Sequence, residues 1–302
     1  MNTIGKMIFD FKMENEEFAH SLYARWDNFF ANSAERITDE VLGKYDKRDS
    51  VIEIDCLDLD LGTIEEDAFN EHFPLLFQQK LEDALLQCLN NSQHNRSGYM
   101  PEKDYLFGIL CRFLLHGTLP WSIADKYKNI GFLFLTVLKN DSKKLKAFLQ
   151  TYGHYTGLQQ RLVFHLDDPL LEDGVRLLAP GESVFIYSYI HLLKEKYNVL
   201  ENNAVRESDY RDAVWLVVYA YLLTNRSSYF NKKSFIASTV NGLAVRYNLS
   251  YDHFLGLLVS QLSATAIKLS APAELYLILD QLKKELYSRR LSESVHDLQK
   301  LY

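Results

Sequence analysis

Along residues 1–90 the spacing of apolar positions switches between the period of a strand and that of a helix. Ile4, Met7 and the run Phe9–Phe11 show little helical period and read as a short strand. Phe18, Leu22, Trp26, Phe29/Phe30, Ile37 and Val41 then recur every three or four residues, the stripe of one long amphipathic helix. The stretch VIEIDCLDLDLGT, Val51–Thr63, returns to period two but changes phase midway: Ile52, Ile54 and Cys56 are apolar at even positions, Leu57, Leu59 and Leu61 at odd ones. Side chains of a strand alternate between its faces, so the phase change needs an extra residue or a bend between Cys56 and Leu57. The first half is expected to pack on the long helix. The second half is expected to turn its leucines onto the next helix and leave its aspartates in water. Gly62 permits a sharp turn into that helix. Thr63-x-x-Glu66 has the form of a capping box, and Glu65, Glu66 and Asp67 suit the positive end of the helix dipole. Phe69, Phe73, Leu76/Phe77, Leu81, Ala84/Leu85 and Cys88 make the stripe of this second helix, which Pro74 should kink or whose true start it should mark.

Residues 1–90 therefore read as a β-α-β-α unit with two short strands. The polar, irregular run NNSQHNRSGYMPEK marks residues 91–103 as a linker. From 104 to 302 the pattern predicts only helices, at about 104–116, 123–139, 142–152, 157–166, 169–178, 182–199, 208–224, 232–247, 251–265 and 273–300. Ser122-x-x-Asp125, Asp168 before Pro169, and Ser250 before a periodic apolar run are their capping signals. The fold class is mainly α: the N-terminal unit followed by an irregular array of antiparallel helices.

Composition narrows this further. Only 13 Gly and 6 Pro in 302 residues argue against an all-β fold with its many tight turns. A net charge of −7 argues against a nucleic-acid partner. Cys56, Cys88 and Cys111 are odd in number and far apart in apolar surroundings, so they read as reduced core thiols. The N-terminus lacks the form of a signal peptide. The longest apolar stretches, Ile130–Leu138 and Ala213–Leu223, fall short of the roughly 18 residues that span a bilayer. A cytoplasmic protein without a membrane span is expected.

Candidate chemistry is sparse. There is no phosphate loop, GxGxxG, HExxH or CxxC pair, the nine histidines show no i,i+4 pairing, and His165 near Asp167 and Asp168 is accounted for by a helix break. No catalytic residue and no cofactor is assigned. From Val51 to Asp67 there are seven acids and no Lys or Arg. Asp58-x-Asp60-x-Gly62 falls short of a calcium loop, because Gly62 takes a ligand position and Phe69 stands where a bidentate Glu is needed. The stretch is a solvated face or a charged partner-binding edge, with Asp55, Asp58 and Asp60 as its candidates. In CRFLLHGTLPWS, Gly117 fits a left-handed helix cap and Pro120 blocks continuation. Trp121, next in line, is expected to anchor the N-terminal unit against the helical part.

The order of these stretches carries a resemblance. An N-terminal strand, a long helix with Ala19 and Leu22, IEIDCLDLDLGTIEEDAF, FLLHGTLPWS and RLVFHLDDPLLEDGVRLLAP follow one another. In this the chain resembles the tape measure protein family of contractile injection systems, the phage-tail-like particles of bacteria. In that family a strand reading I-x-L-x-L-D-L-G precedes an acidic helix, matched by Leu57–Gly62, and F-L-x-x-G-x-L-P-W follows, matched by Phe113–Trp121. Ser228–Ser250 is similar to a weaker family segment. The resemblance implies a structural or assembly protein, not a catalyst, with tube, baseplate or a longer tape measure as partners. Pro74 interrupts what the family treats as a plain helix, and the long ruler segment is lacking here. The alternative is a stand-alone helical adaptor for a partner protein or peptide.

Overall fold

Helices dominate the computed structural model, which describes residues 3–46, 50–90, 99–195, 206–225, 229–265 and 273–300. The chain divides into two compact units: Met1–Ile109 with Pro120–Ala124, and Leu110–Leu119 with Asp125–Tyr302.

In the first unit the expected long helix is a succession of segments. It comprises α1 (Glu16–Ala24), α2 (Trp26–Phe29), a π-helical stretch Phe30–Glu35 and α3 (Arg36–Lys44). Asn15 caps α1, its side chain accepting from the N–H groups of Glu17 and Phe18. The wider π turn brings Ala34 fully into the core between the α-helical stripes of Leu22 and of Ile37 and Val41. Facing them is α4 (Phe69–Asn90), entered through a 3-10 turn at Glu66–Ala68. Phe69, Phe73, Phe77, Leu81 and Leu85 are all buried on one side of it, at the i,i+4 spacing of a helix stripe. Pro74 lies inside α4 and does not start it. The aromatic stacks Phe69–Phe73 and Phe73–Phe77, with centroids at 5.3 and 5.7 Å, hold the turns on either side of it. The capping box is not formed. Thr63 is exposed, and Glu66 Oε2 instead accepts from Asn15 Nδ2 at 2.9 Å.

The β-α-β-α reading holds for its helices and fails for its strands. The sheet of this unit is β1 (Ser50–Val51) paired antiparallel with β2 (Met100–Pro101), Ser50 opposite Pro101. Neither Thr3–Met13 nor Ile52–Ile64 belongs to a sheet. Their period-two pattern is real, but it comes from side-chain burial. Met7, Phe9, Phe11 and Met13 from one segment, and Ile54, Leu57, Leu59, Leu61 and Ile64 from the other, lie against the core formed by α1, the π stretch, α3 and α4. Of the expected linker, 91–98 lies outside the described residues, while 99–103 holds β2 and the start of α5 (Glu102–His116).

Among its described residues the second unit holds helices joined by turns and no strand. After the end of α5 come α6 (Asp125–Lys128), α7 (Ile130–Tyr152), α8 (Thr156–His165), α9 (Asp168–Leu178), α10 (Ser183–Glu195), α11 (Glu207–Thr224), α12 (Lys232–Arg246), α13 (Tyr251–Thr265) and α14 (Ala273–Lys300). The helix break expected between 139 and 142 is present as a kink at Asp141 (φ −151°, ψ 64°), whose side chain accepts from Lys144 N–H and restarts the helix. Asn129, Asp167, Asn231 and Ser250 cap α7, α9, α12 and α13. Apolar nearly all round, α11 buries Tyr210, Ala213, Val214, Trp215, Val218, Tyr219, Tyr221 and Leu223. It lies against α7, α8, α9, α10 and α12, so the apolar run Ala213–Leu223 is a core helix. Among the described residues no helix is long and apolar enough to cross a membrane.

Candidate functional site

The acidic stretch shows how its phase change is resolved. A bend at Asp55 leaves Asp55 and Cys56 both exposed, so that Ile54 before it and Leu57 after it face the same core. One extra outward residue corrects the register, and every leucine of Leu57, Leu59 and Leu61 points inward while Glu53, Asp55, Asp58 and Asp60 point to water. Cys56 is therefore not a core thiol. Its Sγ lies 3.8 Å from Asp58 Oδ1. Cys88 and Cys111 are half-buried free thiols, and burial pushes Cys111 up to about 12. Gly62 adopts φ 69° and donates its N–H to Asp60 Oδ1 at 2.9 Å, an Asx turn that leads the chain toward α4. Among the described residues no Lys or Arg lies within salt-bridge distance of Asp55, Asp58 or Asp60. The result is a row of carboxylates held outward by a row of half-buried leucines.

The second motif separates into two halves. Gly117 (φ 78°) ends α5, its N–H bonded to Phe113 O at 2.7 Å, and Arg161 Nη1 closes the same end by donating to Leu114 O and Leu115 O at 2.8 and 3.0 Å. Pro120 opens a turn in which its carbonyl accepts from Ile123 N–H. Trp121 is not the buried anchor expected of it. It is 64% exposed, its ring laid against Gly5, where a Cβ would come within 2.5 Å of Trp121 Cζ2. The residue that the turn buries is Ile123, at 4%. In a turn that puts Ile123 inward, the bulkier Trp121 is left to cover the chain at the surface.

Sequence reasoning missed a polar cluster at the start of α9. The N-cap of α9 is Asp167, one residue before the position expected, and its Oδ1 accepts from Leu170 N–H. That frees the Asp168 carboxylate, which accepts from Arg211 Nε and Trp215 Nε1 at 2.8 Å each and from Lys194 Nζ. Arg211 continues to Val163 O and Leu166 O at the end of α8 and to Asp212. Partial burial alone would push the Asp168 pKa up, but the donors from Lys194, Arg211 and Trp215 outweigh it and hold the carboxyl below its usual value. With three donors on its two oxygens, Asp168 ties the start of α9 to α10 and α11. The available signal was Arg211 and Trp215 at i,i+4, where the charged first turns of α11 give way to its apolar run.

Among the described residues no group of three or more His, Cys, Asp or Glu side chains is placed to hold a metal ion. What the arrangement offers is surface: outward carboxylates above half-buried leucines. No curated protein and no solved structure matches the chain. The family profile of the contractile injection system tape measure protein, however, matches residues 1–300. The chain with its acidic LDLDLG segment and its GTLPW turn belongs to the contractile injection system tape measure protein family.

Proposed function

We propose that the chain is a non-catalytic structural or assembly component of a contractile injection particle. It acts at a tube end, at the baseplate or beside a longer tape measure, and does not set tube length alone. The observation that carries this reading is the shortness of its helices. The longest among the described residues, α14, has 28 residues and reaches about 42 Å. A chain of 302 residues drawn out as one helix would reach about 450 Å. Drawing it out would expose the stripes of Phe, Tyr and Leu now buried, at roughly 1.5–3 kcal/mol per large side chain. Asp55, Asp58 and Asp60 supply the partner-facing edge. The test is affinity purification of the tagged chain from particle-producing cells, with labelling of the chain in purified particles by electron microscopy. Co-purification of tube or baseplate proteins and label confined to one end are expected. A chain absent from particles, whose deletion leaves them normal, overturns the reading and favours the adaptor.

A further inference from the structure

Two segments of the first unit have the side-chain alternation of strands without the hydrogen bonds of a sheet. In Thr3–Met13, Met7, Phe9, Phe11 and Met13 are half-buried on the core while Lys6, Ile8, Asp10 and Lys12 are exposed. In Ile52–Ile64 the leucines and isoleucines face the same core, with Glu53, Asp55, Asp58 and Asp60 outward. Among the described residues, no backbone N–H or C=O of either segment bonds to another backbone group; Gly62 N–H to Asp60 Oδ1 is the local exception. Side chains alone hold these segments. The Phe9 ring lies edge-on or tilted at 5.2–6.1 Å from Trp26, Phe30, Phe73 and Phe77, and the Phe11 ring likewise at 5.4–6.2 Å from Trp26, Phe69 and Phe73.

A strand-like segment held by its side chains, with its main-chain donors and acceptors open, is a template for an added strand. Its ordering cost is already met by side-chain burial, so a partner strand gains the backbone bonds with little further loss.

We infer that these edges pair with a second copy of this chain, Thr3–Met13 of one copy lying beside Ile52–Leu61 of the other, and reciprocally. Two observations select that occupant. The outward rows are complementary: Lys6 and Lys12 on one, four carboxylates and no cation on the other, with Asp10 the single outward acid of the basic row. Side by side in a sheet, opposite charges on one face attract and like charges repel, so the acidic row pairs with the basic row and not with itself. A two-fold exchange also fills both edges with one contact made twice, and Ile8, 71% exposed, is covered in it. The inference rests on reading Asp55, Asp58 and Asp60 as partner-facing, and it is independent of where in the particle the chain acts.

The test uses the full chain alone. Sedimentation across a concentration series should show a dimer, and hydrogen exchange should slow in Thr3–Met13 and Ile52–Leu61 as the dimer forms. K6E/K12E and D58K/D60K, each verified as folded by circular dichroism, should each weaken self-association about tenfold or more, because every lost pair is lost twice. Mixed in equal amounts, the two variants should form a heterodimer, since both edges are then complementary again. A wild-type chain that stays monomeric overturns the inference, as does a dimer whose amides in these segments exchange as fast as in the monomer. Protection found only within assembled particles assigns the edges to another particle protein, which overturns the second copy as occupant and leaves the proposed function standing.

Discussion

At Asp168 three donors converge on one carboxylate, and the first turn of α9 is joined through it to α10, α11 and the end of α8. Asp168→Asn keeps the shape and removes the charge. It should cost about 1–3 kcal/mol by urea unfolding at neutral pH, in the lower half of that range because 39% of the side chain remains in water. The pH dependence has a definite sign. The folded carboxyl titrates below the unfolded one, so its contribution is complete above the unfolded value of about 3.9 and is lost as pH falls through the lower folded value. The difference between wild type and Asp168→Asn should therefore shrink in acid below about pH 4. A gap that persists unchanged at low pH would place the effect elsewhere. Glycines give a second contrast at this scale. In α9, a Cβ at Gly174 would lie 2.2 Å from Oη of Tyr219, which is itself buried and donates to Leu171 O at 2.7 Å. Gly174→Ala should destabilise by about 2–3 kcal/mol through overpacking and a lost hydrogen bond. At exposed Gly108 in α5 a Cβ meets nothing within 4 Å, so Gly108→Ala should instead stabilise by about 0.5–1 kcal/mol. Thermal unfolding of the two variants checks both signs.

Among the elements, helices were legible and strands were not, for one physical reason. A helix satisfies its backbone within itself, so the stripe and the caps are local signals. The break at Asp141 and the Ser250 cap could be read from a few neighbouring residues. A strand needs a neighbour, and alternation at Phe9–Phe11 or Leu57–Leu61 reports burial of one face without reporting a ladder. Pro74 misled for the converse reason: buried Phe73 and Phe77 carry α4 through it, so tertiary contacts outweigh a local breaker. The turn after α5 was legible in its backbone and not in its side chains. Gly117 as the left-handed cap follows from the glycine itself, but which of Trp121 and Ile123 turns inward is not set by the local sequence. Ile123→Ala should cost about 2–4 kcal/mol in chemical unfolding, and Trp121→Ala about 1 kcal/mol or less, since most of the indole is already in water. Equal losses would restore Trp121 as the anchor.

For the whole molecule, the sequence motifs were enough to reach the family, whereas contacts between distant positions were out of reach. Asp168 and Arg211 are 43 residues apart, and no local pattern joins them. Such distant contacts also decide what length means for this chain. In a ruler, each residue added in extended helix lengthens the object by about 1.5 Å. Here the helices of the second unit turn back on one another, α12 against α11 and α13, and α13 against α14. An inserted helical hairpin would add a layer to this array and no length along a tube. The turn between α12 and α13, where Asn248 takes φ 53° and Leu249 N–H bonds back to Ala244 O, is a suitable place to insert one. Particles that assemble around such a chain should keep the wild-type tube length in electron micrographs. A tube that lengthens in proportion to the inserted residues would show that the chain opens its helical array inside the tube and measures it, and the compact assembly role would have to be given up.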